Sequence, residues 1–212
     1  MRRFLGLILL LAGLAIAVTN FLEWNAGKTA AKDFTLEEVQ DFQEIEKMNE
    51  KEMLFVPPSI KEEPVSLPTS DAAHKTGEEM ATLLIPKIEK KYSVYWGTDP
   101  ATLDQGVGMF VSDLTTLPGG SGHTVLSGHR DTVFTGLGKL EESDLLYVEY
   151  ENEVFLYEIT DIWITHEEDR SVIVEKDEST LTLTTCYPFD FIGYAPDRYI
   201  VQAKFLSSQS TE

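Results

Sequence analysis

The 212-residue chain carries 36 acidic against 17 basic residues, a net charge of −19, which argues against nucleic acid as a partner because nothing would neutralise its phosphates. A single cysteine, Cys186, excludes an intramolecular disulfide, and no Cys/His cluster has zinc-ligand spacing, so neither a disulfide framework nor a metal is expected to hold the fold. The length allows one folded domain with a sizeable core plus an appendage.

Arg2 and Arg3 precede an apolar run from Phe4 to Val18 that resumes at Phe21 and Leu22 after Thr19 and Asn20. As a helix, residues 4–22 would reach roughly 28 Å at about 1.5 Å per residue, close to the hydrocarbon core of a bilayer. The charge order predicts a single-pass transmembrane helix over residues 1–24, its N-terminus cytoplasmic and Phe21 and Trp24 near the outer interface. A cleaved signal peptide is the alternative, since the basic start, the short apolar stretch and Ala15-Ile16-Ala17 fit that pattern too. Both readings export the rest of the chain.

Residues 25–78 read as stalk and linker. Thr35 and Glu38 make a capping box for a helix carrying Leu36, Val39, Phe42, Ile45 and Met48, whose narrow apolar stripe suits a stalk better than a partner-binding surface. Pro57 and Pro58 end it, and Pro64 and Pro68 continue a polar, proline-rich linker up to Gly77. His74 falls in this linker and is expected to be solvated.

Beyond Glu79, β-branched and apolar runs between turn signals predict strands over residues 82–88, 92–96, 108–112, 124–127, 145–150, 154–166, 180–185 and 198–205. Asp99 as cap and Pro100 in the first helical position predict a short helix over 99–105, and a second is expected over 131–140. Mostly strands with two small helices implies an all-β fold, a closed β-barrel over residues 79–206, followed by a polar tail over 207–212.

The strand Thr182-Leu183-Thr184-Thr185 runs straight into Cys186, so the thiol stands where a rigid strand meets an open surface. A lone cysteine is often a small buried hydrophobe. In an exported protein, however, an unpaired thiol is open to oxidation unless it is used. A nucleophilic thiol needs an imidazole to lower its pKa or take its proton. His166, among Glu167, Glu168 and Asp169, reads as a surface residue paired with carboxylates. His123 and His129 flank the strand over 124–127 at opposite ends, so one strand cannot bring both to the same thiol; Gly128 at the turn favours His129. A guanidinium would supply fixed donors for a developing oxyanion, and Arg198, opening the final strand, would lie beside Cys186 if the last two strands pair. Arg130 and Arg170 are rival arginines, each with a surface ion pair as its plain reading.

In order and spacing, Leu126-Ser127-Gly128-His129, then Thr182-Leu183-Thr184-Thr185-Cys186, then Arg198 resemble the His, TLxTC and Arg signatures of the sortases. The similarity covers roughly residues 81–205 and looks most like class D, on Thr184-Thr185-Cys186-Tyr187-Pro188-Phe189 and Gly97-Thr98-Asp99-Pro100, with no second apolar span after Phe205. It implies a closed eight-stranded barrel, a retained membrane anchor, and Cys186, His129 and Arg198 as catalytic residues. It further implies that an LPxT-type sorting signal is cleaved after Thr through a thioacyl-enzyme and passed to an amino group of a peptidoglycan precursor, with no cofactor. Thr185 and the segment Ser171 to Thr180, in particular Ser171, Val172, Ile173 and Val174, are expected to bind the signal. The stretch before His129 departs from the family pattern in lacking the Asn many relatives carry there, where His123 stands. The rival readings are a tethered β-barrel that binds peptides without catalysis and a cysteine peptidase that releases the acyl group to water.

Overall fold

The computed structural model describes residues 2–29, 31–35, 74–191 and 193–210. The expected stalk helix beyond Thr35 and the proline-rich linker lie outside them up to Ala73. Helix α1 runs over Arg2–Thr29 and is followed by a short strand, β1 (Ala31–Asp33). Among the described residues no helix is long and apolar enough to cross a membrane. The uninterrupted apolar run, Phe4–Val18, is 15 residues. At about 1.5 Å per residue that run alone spans roughly 22 Å, and Thr19 and Asn20 separate it from Phe21 and Leu22.

Eight strands make the barrel: β2 (Glu79–Ile85), β3 (Lys90–Trp96), β4 (Val107–Met109), β5 (His123–Ser127), β6 (Leu145–Tyr150), β7 (Glu153–His166), β8 (Thr180–Tyr187) and β9 (Asp197–Ser210). Their order is β3-β2-β6-β7-β9-β8-β5-β4, and a parallel β3–β4 pairing closes the ring. β1 lies antiparallel on the first half of β3, Ala31 opposite Tyr92 and Asp33 opposite Lys90, whereas β4 takes the second half, Val107 opposite Val94 and Met109 opposite Trp96. Lys90 pairs with the Asp33 carboxylate.

Alternation explains the core. In β3, Tyr92, Val94 and Trp96 face inward and the residues between them are half-buried. Leu83, Leu126, Leu181, Leu183 and Val201 meet them inside with no solvent exposure. A fully buried side chain of this size contributes about 1.5–3 kcal/mol, so the barrel rests on this layer. A smaller cluster of Leu84, Tyr147 and Leu156 packs against Phe34, just after β1.

Two expectations need correction. Residues 131–140 form turns and one 3-10 turn (Leu137–Lys139) instead of a helix. Gly136 and Gly138 weaken helix formation there, and Thr132, Val133 and Thr135 are stiff at χ1, while turns still bury Val133, Phe134 and Leu137. His74 is half-buried instead of fully solvated: its ring packs against Trp96 at 5.4 Å and Tyr150 at 6.1 Å, and the Gly77 N–H already bonds the Trp96 carbonyl at 2.8 Å. The folded unit therefore begins a few residues before β2.

The predicted strands are present, with shifted ends. Residues 86–88 turn as a 3-10 helix after β2, and β9 continues past Phe205 to Ser210, opposite β7 as far as Glu153. The short helix is α2 (Pro100–Leu103), capped by Asp99, whose carboxylate accepts from the Thr102 N–H at 3.3 Å.

Candidate active site

Strand direction brings the chemistry together. β5 and β8 are parallel, with Ser127 opposite Thr184. Both chains therefore emerge at the same end of the barrel, where His129 stands two residues past Ser127 and Cys186 two past Thr184. The Gly128 N–H bonds the Thr184 carbonyl at 3.2 Å, and the Thr185 hydroxyl donates to the Gly128 carbonyl at 2.7 Å. These two bonds lash the histidine turn to the cysteine strand. Gly128 is needed for space: a Cβ there would come within 2.7 Å of Val133 Cγ2 and 2.8 Å of the Phe134 ring.

β9 runs antiparallel to β8 with Cys186 opposite Arg198. Directly opposed residues project to the same face, so the guanidinium and the thiol share one side of the sheet. Arg198 is held by its outer atoms: Nη1 donates to the carbonyls of Ala195 and Asp197, both at 3.0 Å, and Nη2 to Glu167 Oε2 at 2.9 Å. The other Glu167 oxygen accepts from the Tyr194 hydroxyl, and the Glu167 N–H bonds the Pro196 carbonyl at 2.7 Å. Glu167 thus ties the end of β7 to the loop between β8 and β9 and sets the direction of Arg198. Nothing in the sequence distinguished it from the other acidic residues; the pairing of β7 with β9 puts it there.

Cys186, His129 and Arg198 line one groove of about 300 Å³, together with Thr98, Leu103, Val172 and Ile173. Cys186 is half-buried, and the His129 side chain is 41% exposed with Nε2 3.7 Å from Asp104 Oδ1. An imidazole, a thiol and a fixed guanidinium at one open groove can attack a carbonyl, shuttle a proton and hold an oxyanion.

Of the residues expected to contact a peptide, Val172, Ile173 and Thr185 line the groove. The Thr185 hydroxyl, however, is committed to Gly128. Ser171 stands back, its N–H and hydroxyl bonded to Asp169 Oδ1, and the Val174 carbonyl faces His123. Asp169 also accepts from the Thr165 hydroxyl at 2.5 Å, and these bonds from Ser171 and Thr165 hold its carboxyl down to about 2. The turn it organises has that contribution in full above the ordinary carboxylate value of 3.8 and loses it as pH falls from there through about 2.

The other candidates are placed differently. His166 is exposed beside Glu168. Arg170 is exposed, whereas Arg130 is 8% exposed and its contacts among the described residues are with carbonyls and a ring. Arg130 donates to the carbonyls of Pro188 at 3.0 Å and Gly193 at 2.8 Å and lies 5.9 Å from the centre of the Phe191 ring, bracing the loop that follows the cysteine.

Comparison with known proteins accords with this geometry. The model of the sortase domain matches residues 83–206. The catalytic domain of B. anthracis SrtD is similar at 63% identity with a TM-score of 0.59, over 69% of this chain and 99% of that one. A Clostridium perfringens sortase D5 transpeptidase is similar at 31% identity with a TM-score of 0.56, over 62% and 81%. Sortase D of Bacillus subtilis (strain 168) is 41% identical over 131 residues, 61% of this chain and 65% of that relative, so the match spans just under two thirds of its length. With a family match that runs from inside the first barrel strand to inside the last, and a barrel shared with these relatives, the chain belongs to the sortase family.

Proposed function

We propose that the protein is a cysteine transpeptidase that takes an LPxT-like sorting signal, cleaves it after Thr, and transfers the acyl group to an amino group of a peptidoglycan precursor. The observation that carries this reading is the pairing of Cys186 with Arg198 across β8 and β9, with His129 delivered to the same groove by the parallel β5. The Cys186 thiolate attacks the carbonyl carbon of the Thr residue, and Arg198 donates hydrogen bonds to the oxygen as it gains charge. The C–N bond breaks, His129 gives its proton to the leaving amine, and a thioester remains. The incoming amine attacks that thioester, loses its proton to His129, and expels the thiolate. Val172, Ile173 and Thr185 form part of the surface that holds the signal.

We further propose that α1 anchors the chain in the cell membrane with the barrel outside. In support, Leu7, Ile8, Leu9, Leu10, Leu11 and Leu14 on α1 are all more than half exposed. The polar interruptions are satisfied within the helix: Thr19 Oγ1 and Asn20 Nδ2 both donate to the Ile16 carbonyl, at 2.9 and 2.8 Å, which lowers their cost in lipid.

The test is mass spectrometry of the protein incubated with an LPxT peptide library and candidate amines. An acyl adduct on Cys186 and an amide product support the reading. Release to water alone would make the protein a peptidase, and no adduct with any peptide would leave a binding barrel.

Glu167→Ala should lower turnover about 2-fold to 5-fold, the effect of losing one partly exposed ion pair, because Arg198 keeps its two carbonyl contacts. Steady-state rates beside Arg198→Ala measure it; a loss as deep as that of Arg198→Ala would mean that Glu167 itself takes part in the chemistry.

A further inference from the structure

His123 has no solvent exposure and does not line the groove, yet both of its ring nitrogens have partners. Nδ1 lies 2.8 Å from the Val174 carbonyl and Nε2 2.7 Å from Thr182 Oγ1. A carbonyl only accepts, so Nδ1 carries the proton and the Thr182 hydroxyl donates to Nε2. Thr182 Oγ1 in turn accepts from Gln202 Nε2 at 3.3 Å, and Gln202 Oε1 accepts from Lys176 Nζ at 3.5 Å. Val174 and Lys176, both in the loop between β7 and β8, are thereby tied to a network rooted in β5, β8 and β9.

That loop is fastened at two places. Near its start, Asp169 gathers bonds from Thr165 and Ser171; near its end, His123 holds Val174. Val172 and Ile173, two apolar loop side chains that line the groove, lie between the ties. A histidine that merely filled space would need neither the carbonyl nor the hydroxyl. Burial holds its pKa below the ordinary value, the Val174 hydrogen bond opposing that shift and the Lys176 cation adding to it, which favours the neutral ring that the two hydrogen bonds require.

We propose that His123 is a positioning residue for substrate recognition: by holding the Val174 carbonyl it fixes the wall formed by Val172 and Ile173, and so sets the fit of the sorting signal's apolar side chains. The inference rests on the transpeptidase reading for its substrate. The tether is separable from that reading.

The test compares three variants of the full chain. In His123→Asn the amide nitrogen takes the place of Nδ1 and keeps the donor to Val174. In His123→Gln the longer amide reaches toward Thr182 and leaves the Val174 carbonyl without a donor. His123→Ala removes both contacts. With an LPxT peptide and a fixed amine, KM should rise about 3-fold to 10-fold for Gln and Ala, as for the loss of one hydrogen bond, while Asn stays within about 2-fold of the unaltered protein and kcat is unchanged in all three. Deuterium uptake at residues 172–176 should quicken in Gln and Ala and not in Asn. A KM that does not move, a kcat that falls at constant KM, or an Asn variant as impaired as Gln would overturn the proposal. Should Ala fail to fold, the Asn and Gln pair still decides. If the unaltered protein shows no transfer at all, the functional reading fails, and deuterium uptake alone judges the tether: faster uptake in Gln than in Asn supports it, and equal uptake overturns it.

Discussion

Cys186→Ala is expected to abolish both thioester formation and transfer, with no acyl adduct by intact-mass measurement and a melting temperature close to that of the unaltered protein. The residue is half-buried at the end of β8, so removing one sulfur leaves no sealed cavity in the core. The chemical loss is far larger, because no second cysteine exists to take the acyl group. Removing the nucleophile from an enzyme that works through an acyl intermediate costs on the order of a million-fold in turnover. Product at a comparable rate would refute the assignment.

Arg198→Lys should be nearly as damaging as Arg198→Ala, although it keeps the charge. Three of the five guanidinium N–H donors are committed to Ala195, Asp197 and Glu167, and these commitments aim the remaining donors. A lysine ammonium is a mobile point charge that cannot both keep those anchors and present a fixed fork to a developing oxyanion. Losing such a donor typically costs about 100-fold to 1000-fold in turnover, roughly 3 to 4 kcal/mol. Turnover and thioester accumulation for the Lys and Ala variants side by side check this. Near-normal rates for Lys with a crippled Ala variant would mean that Arg198 acts through its charge alone.

The barrel was legible because its strands alternate or run apolar between turn residues, and the Leu181 to Thr185 strand runs directly into Cys186. The neighbourhood of Cys186 and Arg198 followed from the expectation that the last two strands pair, which they do in register. What could not be read depends on contacts between distant residues. His123 meets partners 51 and 59 positions away, and its role is set by the parallel pairing of β5 and β8. Glu167 is one acidic residue among 36 until β7 lies against β9. Residues 131–140 depart from the expected helix for a local reason: Gly136 and Gly138 disfavour it, and turns still bury Val133, Phe134 and Leu137.

The shared flank of β3 bears on how the barrel behaves if its N-terminal region is cut away. β4 covers only Val94 to Trp96, and the groups of Lys90 to Tyr92 on that side are met by β1. Proteolytic trimming to about residue 74 would leave this half of β3 as an open edge, with N–H and C=O groups facing water and the Leu84, Tyr147 and Leu156 cluster stripped of Phe34. An open edge beside a bare apolar patch invites strand exchange between molecules, so a trimmed barrel would tend to self-associate where the full chain supplies its own covering strand.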